Sequence, residues 1–193
     1  MNRTAVRRQR DLVVTDFFKA QQNRPADLAD IDLAQLPSHL RALLVTDSQV
    51  TRFLGAVRLT PILADVQASD VVMTERNAAW LDSYVGPIVR RRVALRSALS
   101  GQVHCWAQAL LAQNRLSESV LSAIDEHPSG LGAALNELRP ENRRELLWFG
   151  QATQPCWPTE EHDGLPLLSR AYRIWLDDKP IAFVEESFIT PPR

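Results

Sequence analysis

Cysteine is scarce. The 193-residue chain has two, Cys105 and Cys156, far apart in sequence and outside any CxxC or Cys/His ligand spacing. That excludes a disulfide scaffold or a zinc ribbon, and leaves unpaired thiols in a reducing cytoplasm as the expectation. No run approaches the roughly 18 apolar residues of a membrane span. The start of the chain, with Arg3, Arg7, Arg8 and Arg10, is polar and basic, unlike a secretory signal. Net charge is nearly absent too: 22 Lys+Arg against 23 Asp+Glu give -1, which argues against a nucleic-acid partner. His39, His104, His127 and His162 show no HxH or HxxxH spacing, so no metal site is expected. The cluster Glu160, Glu161, His162, Asp163 sits between Pro158 and Gly164 and reads as a solvated loop. A GxSxG elbow, a phosphate loop and a GxGxxG element are all missing, which removes the common hydrolase, NTPase and dinucleotide signatures.

What is present fits one domain, with 45% hydrophobic and 23% charged residues. Residues 1–35 are polar and rich in Gln, Asn and Asp, and read as a loosely attached arm or helix; residues 36–193 form the domain. Leu36, Leu40, Leu43 and Leu44 recur at helical spacing after Pro37-Ser38, and a second helix opens near Val50 with Asp47 or Ser48 as N-cap. Exposed N–H groups at that start suit an anion. Thr60 to Val66 reads as a strand and Glu75 to Leu81 as a short helix. Val85 to Leu95 and Val103 to Leu111 form a hairpin, and Leu167 to Leu176 and Ile181 to Ile189 form another around Asp177 and Asp178. Helices over Leu116 to Glu126 and Ala133 to Leu138 lie between them. Hairpins with inserted helices give an α+β fold, not a doubly wound sheet.

One strand carries an anomaly. Val85, Pro87, Val89, Arg91, Val93 and Leu95 share a face that is apolar except for Arg91. A guanidinium cannot shed its charge, so one held in an apolar face needs a carboxylate or phosphate, from protein or ligand. Candidate counterparts stand in the last strand, where Glu186 interrupts the apolar face Pro180, Ala182, Val184, Phe188. Glu185 falls on the other, also largely apolar, face, so periodicity favours Glu186 only slightly. Arg91 and Glu186 gripping the two ends of a small anion is one reading; an internal salt bridge, or an edge strand whose arginine reaches solvent along its stem, is the other.

Four blocks in this order and spacing resemble the chorismate pyruvate-lyase family: LLVTDSQVTRF from Leu43, VRRRVAL from Val89, Gly130-Leu-Gly132, and Arg170 to Ile189 ending in EESFI. The resemblance implies an antiparallel sheet with flanking helices and helical flaps over an internal ligand cavity. It implies cleavage of the enolpyruvyl ether of chorismate to 4-hydroxybenzoate and pyruvate, without metal or organic cofactor. Carried over position by position, it makes Arg91 the ring-carboxylate anchor and Glu186 the contact to the ring hydroxyl. Backbone N–H groups at Gln49 and Leu131 complete the carboxylate site. The implied partner is a small cyclic carboxylate such as chorismate, bound by a cytoplasmic monomer or weak dimer. Arg92 departs from the family pattern by setting a second charge beside Arg91. Two rival readings stand beside this one: a relative acting on another cyclic acid, and a non-catalytic module of the kind that senses effectors in bacterial transcription regulators.

Overall fold

The computed structural model describes residues 12–47, 49–73, 75–137 and 142–190. Ser48 and the four arginines of the first ten residues lie outside the described residues. Six strands form one antiparallel sheet: β1 (Ile62–Val72), β2 (Ile88–Ser97), β3 (Val103–Ala112), β4 (Asn142–Ala152), β5 (Leu167–Leu176) and β6 (Lys179–Ile189). Their spatial order is β1-β2-β3-β6-β5-β4. Two three-strand meanders therefore meet along β3 and β6, where Ala107 pairs with Glu186 and Ala109 with Val184.

Local chemistry sets the turns. Asp177 and Asp178 both take positive φ, 47° and 59°, which matches a two-residue turn to the twist of β5 and β6. Between β2 and β3, Ser97 Oγ accepts from the backbone N–H of Leu99 and Ser100, and Gly101 takes φ 71°. β2 begins at Ile88 instead of Val85, because Pro87 has no N–H for a ladder.

The helices α1 (Ser38–Val45), α2 (Val50–Arg58), α3 (Glu118–Glu126) and α4 (Leu131–Glu137) cover one face of the sheet. Their apolar residues Leu40, Leu43, Leu44, Leu54, Ile124 and Leu135 share a core with Leu95, Cys105, Val184 and Phe188 of the strands. The opposite face packs Trp106, Leu110, Trp148, Trp157 and Phe183 under loops. α3 is capped by Ser117, whose hydroxyl accepts from the N–H of Val120. α2 starts at Val50 with Gln49 at the N-cap and no side-chain cap bond, so Asp47 does not cap it as expected.

Three other expectations are corrected. β1 runs to Val72, past the expected end at Val66, because it is an edge strand whose polar residues face outward and pair sideways. Asp65 meets Arg96 at 2.7 Å and Asp70 meets Arg90 at 2.6 Å. The helix expected from Glu75 is a 3-10 helix at Arg76–Leu81. β4 was not expected at all: its residues Leu146 to Gly150 are buried on both faces, so the alternation that marks a half-exposed strand is lost.

Along the far edge, β4 is covered by the segment before α1. Lys19 and Ala20 donate backbone N–H to the carbonyls of Leu146 and Leu147, each at 2.9 Å, and Phe18 packs on Phe149 with ring centroids 4.7 Å apart. This protects an edge that would otherwise present unpaired backbone groups. Gly150 permits the approach, since a Cβ there would lie 2.9 Å from Arg24 Cδ and 3.0 Å from the Ala29 carbonyl oxygen.

Candidate functional site

Strand register builds the site. Arg91 pairs with Ala109, Ala109 with Val184 and Val184 with Tyr172, which makes one row across four strands. The next row on the same face is Val93, Ala107, Glu186 and Arg170. Arg91 and Glu186 thus stand two strands apart, roughly 10 Å across the sheet. Ala107 and Ala109 lie between them and are too small to fill the gap. A pocket of about 600 Å³, mouth included, opens there, floored by those alanines and walled by Gln49, Ser129, Leu131 and Arg144.

Arg91 is 2% exposed, and its nearest carboxylate is Asp125 on α3, 3.6 Å from Nε and itself 60% exposed. Among the described residues its Nε and Nη2 have no hydrogen-bond partner. Burial pulls the guanidinium below its ordinary pKa while Asp125 opposes the shift. An arginine so placed keeps its charge and presents donors without acceptors.

Glu186 has a different environment. Arg170 Nε donates to its Oε2 at 2.8 Å, and the Tyr172 hydroxyl donates to its Oε1 at 3.0 Å. The internal ion pair that sequence periodicity left open is thus Arg170–Glu186, not Arg91–Glu186. Arg170 Nη1 also donates to the carbonyls of Leu43, Leu44 and Thr46, at 2.5, 3.1 and 2.9 Å. The Leu43 and Leu44 carbonyls belong to the last turn of α1 and Thr46 is its C-cap, a helix end whose partial negative charge favours a cation. One buried side chain therefore ties the helix layer to the carboxylate in the sheet. Burial, and then the Glu186 charge, push the Tyr172 phenol well above its ordinary pKa, so it remains a neutral donor.

The two turns named from the sequence close the opposite wall. Gln49 is 7% exposed and directly precedes α2; Leu131 is the first residue of α4. First-turn N–H groups of both helices lack helical acceptors and carry partial positive charge. Gly130, with φ 77°, makes the sharp entry into α4 that a side chain would strain.

Residues 44–191 match the Rv2949c-like chorismate pyruvate-lyase family. The chain belongs to this family. A chorismate pyruvate-lyase of Mycobacterium leprae (strain TN) is 24% identical over 164 residues, covering 82% of this chain and 77% of that protein. One of Mycobacterium tuberculosis (strain CDC 1551 / Oshkosh) is 21% identical over 171 residues, covering 84% and 85%. Among solved structures, the effector domain of PhnF from Mycobacterium smegmatis superposes with a TM-score of 0.55 at 14% identity, over 73% of this chain and 88% of that one. PhnF itself, from the same organism, gives 0.57 at 14% identity over 97% and 80%. These structural likenesses concern the fold alone.

Within this Rv2949c-like chain, the positions carried over from the family resemblance, Arg91, Glu186, Gln49 and Leu131, all line the one pocket. Glu185 turns to the reverse face, where it shares a polar basin with Arg90, Arg92 and Gln108. There Arg90 is held by Asp70 and Glu75, and Arg92 Nε donates to Gln108. Sequence reasoning missed Arg170, Tyr172, Asp125 and Arg144. Arg170 carried the signal that exposed Arg91, a lone charge on the buried strand face Leu168, Arg170, Tyr172, Ile174. Cys105 and Cys156 are free, and burial pushes both thiols well above their ordinary pKa, which makes them poor nucleophiles. Among the described residues no group of three or more His, Cys, Asp or Glu could hold a metal, and no helix is long and apolar enough to cross a membrane.

Proposed function

We propose that this protein cleaves chorismate to 4-hydroxybenzoate and pyruvate. The observation that carries the reading is Arg91: a buried guanidinium without a hydrogen bond on Nε or Nη2 among the described residues, on the wall of a pocket that also holds Glu186. An unsatisfied buried charge is costly, and a ligand carboxylate relieves that cost while gaining charge-assisted, fork-like hydrogen bonds. Arg91 fixes the ring carboxylate, with the Gln49 and Leu131 N–H groups completing the anion site. Glu186 accepts from the ring hydroxyl; each of its oxygens already takes one bond and has a lone pair to spare.

In the reaction the ring C–O bond to the enolpyruvyl oxygen breaks, and the hydrogen on the hydroxyl-bearing ring carbon moves to the methylene carbon of the arm. The ether oxygen becomes the ketone oxygen of pyruvate, the ring becomes aromatic, and atoms balance without a second reactant. Arg170 and Tyr172 hold Glu186 as an acceptor, so its part is orientation, and the hydrogen passes directly within the substrate. The protein contributes positioning, bringing the methylene carbon over the ring hydrogen. The helices α1 to α4 serve as flaps over the ligand.

Purified protein mixed with chorismate tests this, with 4-hydroxybenzoate and pyruvate followed together. Equimolar release of both is expected. No release above a protein-free control overturns the lyase reading, and saturable binding of 4-hydroxybenzoate without turnover makes the domain a sensor.

A further inference from the structure

A second arginine on the pocket wall is unexplained by the sites assigned so far. Arg144 of β4 is half-buried, and its only hydrogen bond among the described residues runs from Nη1 to the Asp47 carbonyl. No carboxylate of the described residues pairs with it. Its Nη2 lies 3.3 Å from where a Cβ would stand on Gly132, so the missing side chain of that glycine makes room for the guanidinium. Gln49 Cγ is 4.0 Å from the same point. Arg144 therefore sits in the wall between the two turns, on the far side from Arg91. Four strand spacings separate β2 from β4, roughly 19 Å of backbone, which two extended arginines shorten to about the length of a single substituted ring.

Charge balance points the same way. The ionisable side chains lining the pocket are Arg91, Arg144, Glu186 and Tyr172. Tyr172 is neutral and Glu186 is neutralised from behind by Arg170. Two guanidinium groups remain, and among the described residues the one carboxylate paired with either of them, Asp125, is largely exposed. A pocket of low polarity with two guanidinium groups, one of them opposed only by a largely exposed carboxylate, suits a ligand carrying two negative charges.

We propose that the pocket selects a dianion, with Arg144 as its second anchor, binding the side-arm carboxylate of a ring dicarboxylate whose ring carboxylate is held by Arg91. This rests on the ring-carboxylate role given to Arg91 above, and makes Arg144 a specificity determinant for the second carboxylate.

Two inert ring acids test it: 3-(1-carboxyethoxy)-4-hydroxybenzoate and 3-ethoxy-4-hydroxybenzoate, which differ only in the second carboxylate and contain no enol ether to cleave. Calorimetry on the full chain should show the dicarboxylate binding about tenfold or more tightly, as expected for a charge-assisted pair. Arg144→Gln should bring that ratio close to one and leave the monocarboxylate within about twofold of wild type, while Arg144→Lys, which keeps the charge, retains part of the preference. Equal weakening of both ligands by Arg144→Gln, at an unchanged melting temperature, would show that Arg144 only holds the Asp47 turn and would overturn the proposal. So would equal wild-type affinities for the two acids, or binding of neither. Chorismate turnover is a separate readout: discrimination without turnover removes the lyase reading and leaves the dianion site standing.

Discussion

Arg170 Nε lies 2.8 Å from Glu186 Oε2, and the same guanidinium reaches over the pair to the carbonyls of Leu43 and Leu44 in α1 and of its C-cap Thr46. Both side chains are almost fully buried, so neither can turn to water if its partner is removed.

Arg170→Ala is accordingly expected to cost about 3–5 kcal/mol, the usual penalty for stranding one member of a buried ion pair. Urea denaturation measures it. Because the two residues share one network, Arg170→Met combined with Glu186→Leu should lose less than the sum of the single changes. A strictly additive double variant would contradict the pairing.

Ligand binding should separate the three adjacent arginines. Arg91→Ala should weaken 4-hydroxybenzoate binding by at least about 30-fold, while Arg90→Ala and Arg92→Ala stay within about threefold, since they project to the reverse face. Calorimetry on the three variants decides this; equal losses would mean that strand alternation had been misassigned.

Stability should fall as the solution is acidified through the histidine range. His104 is 5% exposed, and burial, followed by the Arg58 charge, lowers its pKa below the ordinary 6.5. The folded state then binds fewer protons than the unfolded one, so the contribution is complete above about pH 6.5 and is lost as pH drops through the lower folded value. Urea midpoints taken between about pH 7.5 and 5.5 should decline for the wild type and flatten for His104→Gln.

Gly150→Ala should destabilise by about 1–3 kcal/mol, because the added methyl meets backbone as well as side chain. The Ala29 carbonyl at 3.0 Å cannot move without breaking its bond from the Gln151 N–H. Thermal melts and proteolysis of the segment over β4 read the effect together; unchanged melting and unchanged cleavage would count against the close packing.

Much of this could be read in the sequence wherever burial was one-sided. The hairpins β2–β3 and β5–β6 alternate or end in turn residues, and Arg91 was conspicuous because every neighbour on its face was apolar. β4 escaped because Leu146 to Gly150 are covered on both sides, which erases the period of two. Periodicity alone favours Glu186 over Glu185 only slightly, since both faces of β6 are largely apolar; the family resemblance decided it, and the structure shows Glu186 on the helix-covered face. Arg144 and Asp125 were hidden for another reason: their relation to the pocket depends on how β4 and α3 pack, which no local spacing encodes.

The meeting of β3 with β6 has a kinetic consequence. Each meander is held by pairings close in sequence, but the contacts of Ala107 with Glu186 and Ala109 with Val184 span about 75 to 80 residues, and long-range pairings of this kind form late and open early. Arg91 belongs to one meander, while Glu186, Arg170 and Tyr172 belong to the other. Ligand affinity therefore reports on whether that seam is closed, and a bound ligand that touches both halves should slow amide exchange along β3 and β6 more than at the sheet edges.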